Sequence, residues 1–150
     1  MSGEPHRPRS SAEWRPFNAE VIADHRANGG HVERFGDLRV MVLHTIGARS
    51  GEVREVPLFT VDHVSGLLVY GTAEGAARDP GWVHNLRAHP DITVEYGAEL
   101  REATFEELPP VEAAAVLDAH AATTPMLATY LASAAPRRVP VFRIHFGQVS

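Results

Sequence analysis

Two guanidinium groups and a hydroxyl lie close together in Thr45-Ile46-Gly47-Ala48-Arg49-Ser50-Gly51-Glu52-Val53-Arg54, where a glycine-bounded turn sets Arg49 and Arg54 five residues apart with Ser50 between them. Such a turn can offer backbone N–H groups, a serine hydroxyl and forked, permanently charged donors to one phosphate. A hairpin turn with solvated arginines fits the same spacing. A second segment runs from Gly71-Thr72-Ala73-Glu74-Gly75 to Asp79-Pro80-Gly81-Trp82-Val83-His84-Asn85-Leu86. Its small residues let a ligand approach the backbone, and Asp79-Pro80 reads as the cap and first residue of a helix whose positive end faces that ligand. On this helix Trp82, Asn85 and Leu86 share a face. A core tryptophan with a capping asparagine is the alternative reading.

Much other chemistry is excluded by composition. All 14 basic residues are arginine, so a Schiff-base lysine and a Walker A loop are ruled out. The chain has 0 cysteines, which removes thiol catalysis, disulfides and cysteine metal sites. Its 9 histidines form neither H-x-H nor H-x-x-x-H, and His84 and His89 would face different sides of a helix, so no metal is expected. Ser50 lacks the G-x-S-x-G spacing of a nucleophile elbow, and no G-x-G-x-x-G occurs. A net charge of -5 and a pI near 6.0 provide no footprint for nucleic acid.

The elements that must hold these segments fit in one domain, since 150 residues leave no room for a second of ordinary size. Residues 1–15, with two prolines and no apolar run, read as a flexible N-terminal tail on a cytoplasmic protein, with contact at the inner face of the membrane left open. The domain spans 16–150 and opens with a helix from Pro16 to Asn28, stopped by Gly29-Gly30. Strands follow over Leu38 to Leu43, Val53 to Val61 and Leu67 to Thr72, as a meander. After the helix from Asp79 to His89, Ile92 to Tyr96 and Leu100 to Phe105 pair through Gly97-Ala98. Helices from Pro109-Pro110 to Ala122 and from Pro125 to Ala134 precede a last strand, Val139 to Phe146. Six strands without βαβ alternation predict a mainly β fold, an antiparallel barrel with peripheral helices.

The two chemistry-bearing segments, T-x-G-x-R-S-G-x-x-R-x-x-P-L followed by D-P-G-W-x-H-N-L-x-A-x-P, resemble in order and spacing the deazaflavin-dependent nitroreductase and quinone reductase family, over about residues 35 to 146. The resemblance implies a six-stranded antiparallel split β-barrel of the FMN-binding type. It also implies coenzyme F-420 as cofactor, with hydride transfer from the reduced deazaflavin to a quinone or nitro compound. By that resemblance Arg49, Ser50 and Arg54 take the coenzyme phosphate and acidic tail. Glu55, Val56, Pro57 and Leu58, the backbone of Tyr70, Gly71, Thr72 and Ala73, and the stretch Gly81, Trp82, Val83, His84 and Asn85 line the deazaflavin and its ribityl chain. Ala48, Glu52 and the Thr72-Ala73-Glu74-Gly75 loop lack cations common in the family, and of its acceptor-facing tyrosines Tyr130 remains. Tyr130 is the candidate proton donor to the reduced acceptor. A split-barrel reductase using FMN and a non-catalytic deazaflavin or small-ligand carrier are the competing readings. As monomer or homodimer, the protein is expected to act on a small molecule.

Overall fold

The structure, a computed structural model, describes residues 11–36 and 38–147. Residues 1–10 of the expected tail lie outside the described residues, and positions 11–15 belong to helix α1 (Ser11–Ala27). The helix thus starts ahead of Pro16.

Among the described residues seven strands form one antiparallel sheet in the order β2-β1-β5-β6-β7-β4-β3, where β1 is Val40–Ile46, β2 Val53–Phe59, β3 Val61–His63, β4 Gly66–Tyr70, β5 Asp91–Tyr96, β6 Glu99–Glu107 and β7 Val141–Phe146. The count is seven and not the expected six because the segment that reads as one strand, Val53 to Val61, divides at Thr60. There the N–H of Thr60 turns to the carbonyl of Arg39 at 3.0 Å. On one side of Thr60 the chain pairs with β1, and on the other with β4. Since β2 and β3 are the two ends of the strand order, this short stretch carries the chain from one sheet edge to the other. The sheet curls into a split-barrel-like half-barrel. The expected three-stranded meander is therefore not formed as one unit: its parts are two hairpins placed at opposite edges.

Period-two alternation distributes the strands between two cores. Met41, Leu43, Val69, Ile92, Val94, Phe105, Phe142 and Ile144 fill the concave side, where helix α2 (Gly81–Ala88) adds Trp82, Val83 and Leu86. Their neighbours Leu68 and Val141 face outward beneath helices α3 (Pro110–Ala121) and α4 (Pro125–Ala134), against Leu117 and Leu127. None of the described helices is long and apolar enough to cross a membrane.

Helix α1 covers the outer side of β1, packing Val21 and Phe17 with Val32, Val40 and Phe35. An ion network secures its C-terminal end. Arg26 donates to Glu95 from Nε at 2.9 Å and from Nη2 at 2.6 Å, and its Nη2 also pairs with Glu55. His44 Nε2 lies 2.6 Å from the Glu95 carboxylate. The Arg26 guanidinium, helped by His44, outweighs burial and holds the Glu95 carboxyl at about 2, below its ordinary 4.5. A carboxyl depressed in the folded state contributes stability above its unfolded value and loses that contribution as pH falls through the folded one. Glu95→Gln is therefore expected to lower unfolding free energy at pH 6, with the deficit shrinking between pH about 4.5 and about 2. Urea titrations of parent and variant at pH 6 and pH 3 check this, and a deficit unchanged at pH 3 refutes it.

Candidate functional site

The loop joining β1 to β2 is built on its own backbone. Gly47 N–H bonds the carbonyl of Glu52 at 2.8 Å, Gly51 N–H bonds that of Gly47 at 2.9 Å, and Ser50 Oγ accepts from the N–H of Glu52 at 3.1 Å. A Cβ at Gly47 would meet Ser50 Oγ, so a side chain there would turn the serine hydroxyl out of its place in the loop. Arg49 and Ser50 stand exposed on this loop, and Arg54 stands exposed just after it, at the start of β2. Among the described residues Arg49 forms no ion pair, while Arg54 reaches only Glu52, at 4.0 Å.

Asn85 of α2 ties this turn to the second segment. Its Oδ1 accepts the N–H of Ala48 at 3.0 Å and its Nδ2 points to Thr45 Oγ1 at 3.4 Å; the Thr45 hydroxyl in turn donates to the carbonyl of Arg54 at 2.8 Å. Asn85 is thus a bridge between elements, and the two segments singled out in the sequence meet in space. At the start of α2 the N-cap position belongs to Pro80, and among the described residues no side chain caps it. Asp79 is the cap that the sequence predicts; its carboxylate is drawn away to Arg137 at 2.6 Å and Arg87 at 3.3 Å. Among the described residues nothing lies within 4 Å of where a Cβ at Gly81 would stand, which leaves room at the helix end for a ligand.

The remaining sequence candidates divide. Strand alternation puts Val56 and Leu58 against the concave core, whereas Glu55 sits on the outer face with Arg26 and His44, and Pro57 shares its side of the strand. One ligand cannot lie against all four side chains. Trp82, 9% exposed, packs on Phe142 with ring centroids 5.9 Å apart, and Val83 is fully buried beside Gly71. His84 is exposed. The Tyr70 side chain turns toward α3, where its hydroxyl lies 2.9 Å from His120 Nδ1 and burial pushes it up to about 12, so Tyr70 meets the loop through its backbone.

Beyond Tyr70, Thr72 is helical and Ala73 and Glu74 are left-handed, with φ of 46° and 53°. The loop rests on α4: Ser133 Oγ donates to the carbonyl of Gly75 at 2.9 Å, and a Cβ on Gly75 would lie 3.0 Å from the carbonyl of Tyr130. Tyr130 is half-buried on that helix. Sequence reasoning misses Arg137, which donates to the carbonyls of Gly71 at 3.0 Å, Thr72 at 2.8 Å and Ala76 at 2.9 Å. No sequence signal marks it, because its partners are main-chain oxygens.

His44, Glu55 and Glu95 bring ligand-type atoms within 4.8 Å of one another on the far side of the sheet, with Arg26 seated on both carboxylates.

Known proteins resemble this chain in sequence and in fold. The chain is similar to an F420H(2)-dependent quinone reductase of Mycobacterium tuberculosis, with 31% identity over 70 residues, 47% of each chain. It therefore matches about half the length of that relative. The fold resembles a solved structure described as an F420-H2 dependent reductase, at 27% identity and a TM-score of 0.58, over 71% of this chain and 93% of the other. It also resembles one described as a domain-swapped dimer, at 27% identity and a TM-score of 0.62, over 91% of this chain and 100% of that one. The sequence profile of the F420H(2)-dependent quinone reductases matches residues 17–145. On that match, which takes in the arginine turn, the loop after β4 and all of α2, the chain belongs to the F420H(2)-dependent quinone reductase family.

Proposed function

We propose that the protein is an oxidoreductase that binds reduced coenzyme F-420 and passes a hydride to a small acceptor, a quinone or a nitro compound. The observation that carries this reading is the Asn85 bridge, which puts the exposed arginine turn beside the open end of α2. The residues fit a phosphate-bearing cofactor: among the described residues Arg49 is without an ion pair, the α2 N-terminus has no side-chain cap, and Gly81 leaves room above it. When bound, the reduced deazaflavin supplies the hydride.

The chain's own contribution is placement and proton management. Arg49, Ser50 and Arg54 hold the phosphate and acidic tail, the backbone of Tyr70 to Ala73 borders the ring, and Gly81, His84 and Asn85 define the opposite wall. The core position of Trp82 fixes α2, and the small exposed part of its indole would border the ligand. Tyr130 holds a proton for the acceptor, whose oxygen or nitrogen gains negative charge as it is reduced. Assembly as a homodimer is part of this proposal, supported by the structural relative that is a domain-swapped dimer.

The test is titration of the protein with coenzyme F-420, followed by oxidation of the reduced coenzyme with and without menadione. Binding with menadione-dependent oxidation supports the reading, and binding without it makes the protein a carrier. Tyr130→Phe is expected to lower turnover more than it lowers coenzyme affinity, since a group used only as charge develops acts on the transition state. Turnover within a factor of about two of the parent, under roughly 0.5 kcal/mol of barrier, would assign Tyr130 to packing.

A further inference from the structure

Arg137 spends its whole guanidinium on one loop. Nε serves Ala76, Nη1 serves Gly71 and the Asp79 carboxylate, and Nη2 serves Thr72. Its side chain is 10% exposed and that of Asp79 17%, so the charge is matched where it is buried. In a trans peptide the C=O of one residue and the N–H of the next point in opposite directions. Fixing the carbonyls of Gly71 and Thr72 toward Arg137 therefore turns the N–H groups of Thr72 and Ala73 the other way. The switch from helical Thr72 to left-handed Ala73 is the backbone alternation that gathers successive N–H groups into one concavity. The N–H groups of Thr72, Ala73 and Glu74 have no acceptor among the described residues, whereas those of Gly75 and Ala76 are used within the loop, at 2.9 and 3.0 Å.

We propose that Arg137 is a positioning residue, which holds the loop after β4 so that the N–H groups of Thr72, Ala73 and Glu74 donate to an uncharged carbonyl oxygen on the rim of a planar heterocycle. Taking the deazaflavin as that heterocycle rests on the function proposed above. Charge selects a carbonyl over a phosphate here. Asp79 neutralises Arg137, and Glu74 adds a carboxylate at the loop itself, so the concavity offers dipoles without net positive charge. The exposed arginines of the β1–β2 turn offer the opposite, and the two sites divide one ligand between them. Ala73 and Glu74 keep their strained conformation because Arg137 on one side and Ser133 on the other leave the loop no alternative.

The experiment compares Arg137→Ala, Arg137→Lys and Arg49→Ala with the parent in two measurements. Amide hydrogen exchange on the ligand-free protein is expected to rise about tenfold or more at Gly75 and Ala76 in Arg137→Ala, with β5 unchanged. Arg137→Lys restores part of the protection, since an ammonium cannot fork to three carbonyls. Equilibrium titrations with coenzyme F-420 and with its phosphate-free deazaflavin ribityl fragment are expected to weaken by the same factor, about tenfold, in Arg137→Ala. Arg49→Ala weakens only the coenzyme. Should Arg137→Ala fail to fold, Arg137→Lys carries both measurements with smaller shifts of the same sign. Parent-like loop exchange in a folded variant overturns the proposal, as does a loosened loop with undiminished fragment affinity. A parent that binds neither probe overturns the coenzyme reading, and the exchange measurement still decides whether Arg137 fixes the loop.

Discussion

Trp82→Ala lowers stability by about 3–5 kcal/mol, the cost of deleting a large buried aromatic from a core that cannot close over the gap. For a chain of this size that corresponds to roughly 6–20 °C in Tm. The expectation follows from position: the indole is 9% exposed, packs at a tilt against Phe142 and sits in the same cluster as Met41, Leu43 and Phe105, so its removal opens the concave side of the half-barrel. Trp82→Phe keeps an aromatic against Phe142 and should cost much less. That milder variant separates packing from binding. If the indole edge borders the coenzyme, titration quenches tryptophan emission in the parent and in Trp14→Phe but not in Trp82→Phe. A Trp82→Ala protein that melts with the parent would refute the packing role.

Arg49→Ala and Arg54→Ala each weaken coenzyme binding by about 1.5–3 kcal/mol, the range for hydrogen bonds to charged groups. The affinity loss is on the order of ten- to a hundredfold. Folding should be untouched, because both side chains are exposed and their loop is closed by the main-chain bonds of Gly47 and Gly51. The lysine replacements should recover charge without the fork, and so only part of the affinity. Isothermal titration with coenzyme F-420, alongside thermal melts of the same variants, checks both halves. Unchanged affinity in both alanine variants removes the arginine turn from the site.

Legibility in the sequence depends on whether a feature is local. Gly97-Ala98 predicts its hairpin because turn and pairing lie within a few residues, and Pro110 and Pro125 open their helices as that residue does. The strand over Val53 to Val61 is legible as β but not as two strands. Its composition has no break, and the division at Thr60 comes from a bond to Arg39, far back in the chain. Asp79-Pro80 carries a sound local signal for a capped helix, yet a distant arginine outbids the cap. The site is legible at its exposed parts, the turn and α2, because arginines beside glycines have few structural reasons to be together. Arg137 is not, since carbonyl partners leave no trace in composition. The run from Glu55 to Leu58 reads in sequence as one wall, which period-two alternation forbids.

The place of β7 has a consequence for how the chain reaches this state. β7 is the last of the seven strands to be synthesised, yet it lies between β6 and β4 and pairs with both. Until Val141–Phe146 emerges from the ribosome, the four strands β2-β1-β5-β6 and the β3-β4 hairpin are separate pieces. The first of these has an unpaired β6 edge nine residues long. Folding during translation therefore cannot finish piecemeal, and chaperone demand should peak just before the final strand inserts.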